Sequence, residues 1–213
     1  MSENRWHAYI KTTAANAPVR GDMSVAGYAH RLQWNENPID FPDDLKEEVM
    51  TRFAERAWAR YPTEFRPREL IAALAAQTHV APEMIAIAAG SSALIQSVLG
   101  AVLEPGDHMV TPSPTFLLYR REALVLGAEL HQIATSAETG FALPVDDLIV
   151  CARTNEAKLI ALCAPNNPTG TIYDIDDLRR IADEAGALLV IDEAYREFCG
   201  QDLRPLLDEF ENV

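Results

Sequence analysis

Short apolar runs alternate with stretches in which apolar residues recur every three or four positions over the second half of the chain. The short runs are typical of buried strands, and the longer spacing is typical of amphipathic helices. The predicted strands are 84–89, 108–111, 128–133, 158–163 and 187–191. The predicted helices are 91–103, 115–126, 144–153 and 174–185. This alternation predicts an α/β fold, with a mostly parallel sheet and helices on both faces.

Two further amphipathic helices are predicted before this region, from Asp43 to Arg60 and from Pro67 to Thr78. The first has acidic residues in its first turn, and the second has proline at its first position. No internal repeat or Gly/Ser linker interrupts the chain. We therefore expect an N-terminal arm at 1–30, the N-terminal part of a small domain at 31–64, and a partial large domain at 65–213.

The amino-acid composition argues against several kinds of binding partner. The chain has 213 residues, 48% of them hydrophobic, and a formal net charge of -14, which argues against binding nucleic acid or an anionic membrane surface. No apolar run approaches the ~20 residues that cross a bilayer, so we expect a cytoplasmic protein. The three cysteines and five histidines lack paired or metal-binding spacing, so neither a disulfide framework nor a metal site is predicted.

Polar motifs follow two neighbouring predicted strands directly. Pro165-Asn166-Asn167-Pro168-Thr169-Gly170 comes after one apolar run, and Asp192-Glu193-Ala194-Tyr195 comes after the next. Because ligands of open α/β sheets bind outside the carboxyl ends of the strands, an amide, a carboxylate and a phenol are expected at one edge of the sheet.

Four more motifs occur in order along the chain: Asn35-Glu36-Asn37-Pro38, Arg60-Tyr61-Pro62, Gly90-Ser91-Ser92 and Pro114-Thr115-Phe116. Together with the two strand-end motifs, they resemble the fold-type I enzymes that use pyridoxal phosphate. The pattern is most similar to the histidinol-phosphate aminotransferase branch. The resemblance extends from about residue 30 to the last residue.

The resemblance implies a set of contacts with pyridoxal 5'-phosphate. Asp192 would pair with the pyridine nitrogen, Asn167 and Tyr195 would bond the 3-hydroxyl oxygen, and Phe116 would stack on the ring. Ser91 and Ser92 would hold the phosphate at a helix amino terminus, where free N–H groups favour anions. Taken singly, each position also has a structural interpretation as a cap, a turn or a packed aromatic.

The resemblance also implies contacts outside the cofactor ring. Tyr61 would reach the cofactor phosphate of a neighbouring subunit, which makes a homodimer the expected assembly. Asn35 and Glu36 would line the substrate entrance. Tyr119, one helical turn after Phe116, would face the substrate or pack.

No lysine matches the family position that forms the Schiff base. In the family this lysine comes after the aspartate and tyrosine, in a Ser-Lys segment, whereas this sequence has only Lys11, Lys46 and Lys158. We therefore expect the amino-terminal portion of an aminotransferase, without a catalytic residue of its own and inactive alone.

The expected reaction of the parent enzyme is amino transfer between histidinol phosphate and 2-oxoglutarate. A lyase similar to threonine-phosphate decarboxylase would use the same ring contacts, and a natural short chain could act as a non-catalytic binding module. A dinucleotide-binding enzyme is disfavoured because no GxGxxG follows any predicted strand.

Overall fold

The structure is a computed structural model that describes residues 34–62 and 64–213. The predicted arm at 1–30 and Lys11 lie outside the described residues. The described chain divides into two compact units, one running up to Ile87 and the other from Ala88 to Val213. No helix of the described residues is long and apolar enough to cross a membrane.

The larger unit is built on a sheet of four parallel strands. The strands are β1 (His108–Ser113), β2 (Glu129–Ala134), β3 (Leu159–Cys163) and β4 (Leu188–Asp192). Their order is β2-β1-β3-β4, and every neighbouring pair is parallel. The four predicted strands from residue 108 onward are therefore confirmed.

Helices cover both faces of this sheet. In this unit they are α3 (Ser91–Val102), α4 (Leu117–Leu126), α5 (Val145–Thr154), α6 (Ile175–Glu184) and the short α7 (Pro205–Glu209). Met109 and Leu159 pack with α3 and α4, whereas Val110 and Ile160 pack with α5 and α6. Adjacent strand residues point to opposite faces, so each strand contributes to two apolar cores. The predicted α/β fold is confirmed.

The smaller unit contains α1 (Asp43–Ala54) and α2 (Arg68–Thr78). The sequence predicted that the first helix continues to Arg60, which is wrong. The Trp58 side chain folds back, and its Nε1 donates to the Phe53 carbonyl oxygen at 3.0 Å. The Arg56 amide donates to the same oxygen. These donors satisfy a carbonyl that a continuing helix would have paired with a later amide.

The predicted strand at 84–89 is also wrong. Pro82–Met84 form a 3-10 turn, and the residues from Ile85 to Ala89 are not part of a strand. A strand needs a partner for its backbone groups, and within the described chain the Ile85 carbonyl accepts from the Arg66 side chain instead. An apolar run therefore did not suffice to define a strand.

The strand order creates a crevice at the carboxyl edge of the sheet. From β1 the chain passes to β2 on one side, and then crosses to β3 on the other side of β1. The connections that leave β1 and β3 therefore diverge, which is the arrangement at which open α/β sheets bind ligands.

Candidate active site

The predicted strand-end residues lie at this carboxyl edge. Phe116 follows β1, Asn167 follows β3, and Asp192 is the last residue of β4, with Tyr195 three positions further on. Cys163 and Asp192 are partners in the register of β3 and β4. The edge therefore carries the amide, the carboxylate and the phenol that the motifs predicted.

Asp192 is half-buried, and both of its carboxylate oxygens accept hydrogen bonds. Oδ1 accepts from the Ala194 amide at 3.0 Å, and Oδ2 accepts from the Tyr119 hydroxyl at 2.8 Å. The first bond orders the turn after β4, and the second ties the carboxylate to α4. Asp192 is therefore more than a local cap, since a residue 73 positions away also holds it.

Asn167 and Tyr195 approach each other across the ends of β3 and β4. The Asn167 Nδ2 lies 3.5 Å from the Tyr195 Oη, at the long limit of a hydrogen bond. An amide and a phenol can both donate to a single acceptor between them. Their predicted contact with the 3-hydroxyl oxygen of the cofactor stays a prediction.

Asn166 was missed as a functional candidate, although it organises this edge. It is 4% exposed, and its Oδ1 accepts from the Thr115 hydroxyl at 2.9 Å. Its Nδ2 donates to the Pro114 carbonyl at 3.0 Å and to the Thr169 hydroxyl at 2.8 Å. The side chain joins the loop after β3, which carries Asn167, to the loop after β1. The sequence offered one signal, an asparagine between an apolar run and the predicted site residue.

Phe116 and Tyr119 form an edge-to-face aromatic pair at the start of α4. Their ring centroids are 6.1 Å apart, with an interplanar angle of 89°. Phe116 is half-buried, whereas Tyr119 is only 1% exposed and directs its hydroxyl to Asp192. The hydroxyl of Tyr119 is thus engaged inside the protein, and the expected contact with substrate stays a prediction.

Ser91 and Ser92 occupy the first two positions of α3. Gly90 precedes them with φ of 81°, a conformation that glycine adopts without the cost of a Cβ. The first amides of a helix have no acceptor within the helix. The predicted role of Ser91 and Ser92 toward phosphate stays a prediction.

Tyr61, Asn35 and Glu36 belong to the smaller unit. Tyr61 is 88% exposed and lines a cavity of about 660 Å³ together with Trp58 and Arg60. Asn35 and Glu36 are exposed, and Asn35 has φ of 52°. Their predicted contacts with cofactor, substrate and a second subunit stay predictions.

Two acidic side chains near this edge have pKa values above their usual range. Burial, with the negative charge of Asp192 as the second cause, raises the pKa of the Cys163 thiol to about 11. Burial also raises the pKa of Glu193, although Arg196 opposes this shift. Within the described residues, no three His, Cys, Asp or Glu side chains are arranged to hold a metal ion.

Lys158 lies at the opposite end of β3 from this edge. It precedes the first residue of the strand, and its Nζ is paired with the Asp107 carboxylate at 2.8 Å. Lys46 belongs to the smaller unit, where it pairs with Asp40 and Asp43. Lys158 is thus separated from Asn167 by the length of a strand.

Comparison with known proteins gives consistent matches. The sequence model of the family Aminotransferase class I and II matches residues 30–213. A histidinol-phosphate aminotransferase from Chlorobium phaeovibrioides is 38% identical over 186 residues, which cover 87% of this chain and 51% of that protein. The chain therefore spans about half the length of this curated relative, and it corresponds to the amino-terminal portion.

Solved structures resemble the fold over a similar part of the chain. A mutant aspartate aminotransferase from Thermus thermophilus has a TM-score of 0.67 and 27% identity, covering 75% of this chain and 44% of its own. The histidinol-phosphate aminotransferase from Sinorhizobium meliloti, solved in complex with pyridoxal-5'-phosphate, has a TM-score of 0.56 and 26% identity, covering 61% and 35%. The motifs predicted the fold, the enzyme class and the pyridoxal phosphate cofactor of the matched family. Because the family model matches most of its length, the chain belongs to the class I and II aminotransferases.

Proposed function

We propose that this chain is the amino-terminal part of a pyridoxal-phosphate-dependent aminotransferase that acts on histidinol phosphate, with 2-oxoglutarate as the amino acceptor. The observation that carries the proposal is the convergence of Asn167, Asp192 and Tyr195 at the carboxyl ends of β3 and β4. In the proposal, this edge is the ring-binding half of the cofactor site.

The side chains at the edge fit the polar atoms of the cofactor. The Asp192 carboxylate suits a protonated pyridine nitrogen, because opposite charges favour the ionised forms of both groups. The Asn167 amide and the Tyr195 phenol suit the 3-hydroxyl oxygen, since both can donate without adding charge. Phe116 offers a ring face for stacking, which contributes on the order of 1 kcal/mol beyond burial.

The anionic end of the cofactor would be held by the start of α3. The Ser91 and Ser92 amides are at the positive end of the helix dipole, and their hydroxyls add two donors. When bound, pyridoxal phosphate supplies an electron sink for the substrate's α-carbon. The residues of this chain would orient the ring, keep its nitrogen protonated and hold the phosphate.

Lys158 is not placed to anchor the cofactor covalently at this edge. It is at the amino end of β3 and in an ion pair, which does not suit a nucleophile at the opposite edge. In the proposal, the anchoring lysine comes from the carboxyl-terminal part of the aminotransferase. The proposal therefore predicts that the 213-residue chain binds the cofactor without a covalent bond.

A titration with pyridoxamine phosphate tests the cofactor site. This probe has no aldehyde, so it cannot react with surface lysines. Calorimetry should detect binding to the chain, and Asp192→Ala should weaken binding at least tenfold, because a charged hydrogen bond contributes about 1.5 to 3 kcal/mol. Asp147→Ala, an exposed acid of α5, is the matched control. Absence of binding, or equal affinity of the Asp192 variant and the control, would refute the cofactor site.

The homodimer is proposed from the surface of α1. None of its residues is buried, and exposed apolar side chains such as Val49 and Phe53 lie on it. Apolar area of this kind on a helix favours association. In the dimer, Tyr61 would donate to the cofactor phosphate of the second copy.

Sedimentation velocity over a range of concentrations tests the assembly. Val49→Glu should shift the chain toward monomer, because it adds a charge to the proposed contact. Val150→Glu changes a similarly exposed valine of α5 and should leave the assembly unchanged. A concentration-independent monomer, or an equal response to both substitutions, would contradict the dimer.

The donor is proposed from the histidinol-phosphate relatives, with Asn35 and Glu36 near the substrate entrance. In the complete enzyme, kcat/KM should be highest for histidinol phosphate among a panel that includes phosphothreonine, phenylalanine and aspartate. Release of carbon dioxide from phosphothreonine would instead identify a decarboxylase. A tenfold preference for another donor, ~1.4 kcal/mol in transition-state binding, would overturn this substrate. A cytoplasmic location stays a prediction from the sequence.

A further inference from the structure

The Tyr119 hydroxyl is the side-chain donor that contacts Asp192 among the described residues. The Oη–Oδ2 distance is 2.8 Å, and the other carboxylate oxygen is held by the Ala194 amide at 3.0 Å. The neighbouring thiol of Cys163 donates elsewhere, to the Pro165 carbonyl at 3.3 Å. The orientation of the carboxylate is therefore set from two sides, by α4 and by the turn after β4.

Tyr119 is suited to act as a permanent donor. Burial raises the pKa of its phenol, and the negative charge of Asp192 raises it further. The hydroxyl therefore holds its proton more strongly than a phenol in water does. Because a protonated phenol donates and an ionised carboxylate only accepts, the pairing matches Asp192 in its charged form.

The tyrosine ring is itself immobilised. It lies in the apolar core formed by α3, α4 and the sheet, where Leu118 and Ala123 are also buried. Its edge-to-face contact with Phe116 joins it to the proposed stacking residue. The cap and the first turn of α4 therefore carry both the ring that would stack on the cofactor and the donor that contacts Asp192.

We propose that Tyr119 is a positioning residue, whose hydroxyl holds the Asp192 carboxylate in the orientation that meets the ring nitrogen of the cofactor. This inference rests on the proposed function, since it requires that Asp192 pairs with that nitrogen. It gives Tyr119 a role through Asp192 and separates it from the residues that touch the cofactor or substrate. Removal of the hydroxyl leaves the Oδ2 side of the carboxylate without its donor, so the carboxylate can turn away.

Two ligands isolate the contact between Asp192 and the ring nitrogen. Pyridoxamine phosphate carries the nitrogen, and its carbocyclic analogue has a C–H group in that position. The ratio of the two dissociation constants measures the nitrogen contact, because changes in phosphate binding, stacking and overall stability affect both ligands alike. The unsubstituted chain should prefer pyridoxamine phosphate by at least tenfold.

Tyr119→Phe should reduce this preference about fivefold, and Asp192→Ala should abolish it. Tyr173→Phe is the matched control, because Tyr173 is a second buried tyrosine, in the core on the other face of the sheet. The control should keep the preference of the unsubstituted chain. Calorimetry on the 213-residue chain and its variants gives all eight dissociation constants.

The outcomes separate the two hypotheses. Failure of the unsubstituted chain to discriminate, or a preference that survives Asp192→Ala, would refute the cofactor contact of the proposed function. A preference abolished by Asp192→Ala but unchanged by Tyr119→Phe would overturn the positioning role alone. Equal weakening of both ligands by Tyr119→Phe would also overturn it, since this is the result of a merely structural role.

A second measurement needs no substitution. The hydroxyl proton of Tyr119 is buried against Asp192 and should be visible by NMR because it exchanges slowly with water. Its chemical shift should move when pyridoxamine phosphate binds and should move much less with the carbocyclic analogue. Equal movement with both ligands would contradict the positioning role, even if the Tyr119→Phe variant did not fold.

Discussion

Replacement of Asn166 by alanine tests whether one buried amide holds the carboxyl edge together. The substitution removes three side-chain hydrogen bonds, which join Asn166 to Thr115, Pro114 and Thr169 at 2.9, 3.0 and 2.8 Å. A net hydrogen bond contributes about 1 kcal/mol. The partners are only half-buried and can regain water, so the expected loss in the free energy of unfolding is about 2 to 3 kcal/mol.

The control for this prediction is Asn155→Ala. The Asn155 amide donates to the Cys151 carbonyl at 2.8 Å and makes one weaker contact with the same residue's sulfur. Its removal should cost about 1 kcal/mol. Urea unfolding followed by far-UV circular dichroism compares the variants. In a chain of this size, 2 to 3 kcal/mol corresponds to a decrease in Tm of about 4 to 12 °C.

Amide hydrogen exchange identifies where the stability is lost. In Asn166→Ala, exchange should increase in both the loop after β1 and the loop after β3, because the side chain joins them. Asn155→Ala should affect only the end of α5. A loss below about 0.5 kcal/mol, a cost no greater than that of the control, or faster exchange in only one loop would refute the reasoning.

Three further predictions concern charge, reactivity and packing. The Arg204 side chain holds the pKa of Asp202 at about 2. Because the pKa of Asp202 is depressed in the folded state, the pair stabilises the protein at pH values above the ordinary pKa of an aspartate. This stabilisation is lost as the pH falls through about 2. Arg204→Ala should return the NMR titration midpoint of Asp202 toward its ordinary value, and an unchanged midpoint would contradict the assignment. At pH 8, iodoacetamide should modify Cys163 more slowly than Cys151, because Cys163 is buried and has a pKa of about 11; mass spectrometry that finds Cys163 modified first would exclude this. Leu162→Ala, at a fully buried position of β3, should cost about 2 to 5 kcal/mol in urea unfolding, and a cost below about 1 kcal/mol would show that the core is not packed as described.

Local patterns determined most of the larger unit. The four strands from β1 to β4 and the helices between them lie within a few residues of their predicted bounds. These elements depend on spacing within a single segment, such as the fully buried run of β3 or the acidic first turn of α6. The family and its cofactor were likewise predicted from motifs, which are local strings of residues.

The two errors occur where a segment depends on groups outside itself. The run at 84–89 has the composition of a strand but no partner strand among the described residues, and the Arg66 side chain bonds to its Ile85 carbonyl. The helix that begins at Asp43 ends at Ala54, because Trp58 and Arg56 bond to the Phe53 carbonyl. Hydrophobic periodicity contains no information about any of these three hydrogen bonds.

The sequence by itself determined which residue types stand at the ends of the strands, because buried parallel strands have a recognisable apolar pattern and their carboxyl ends share one edge. Only the tertiary structure decided how those residues are held. Tyr119 meets Asp192 across 73 positions, and Asn166 meets Thr115 across 51. Contacts at such separations depend on strand order and side-chain direction together, so no spacing within a local window could specify them.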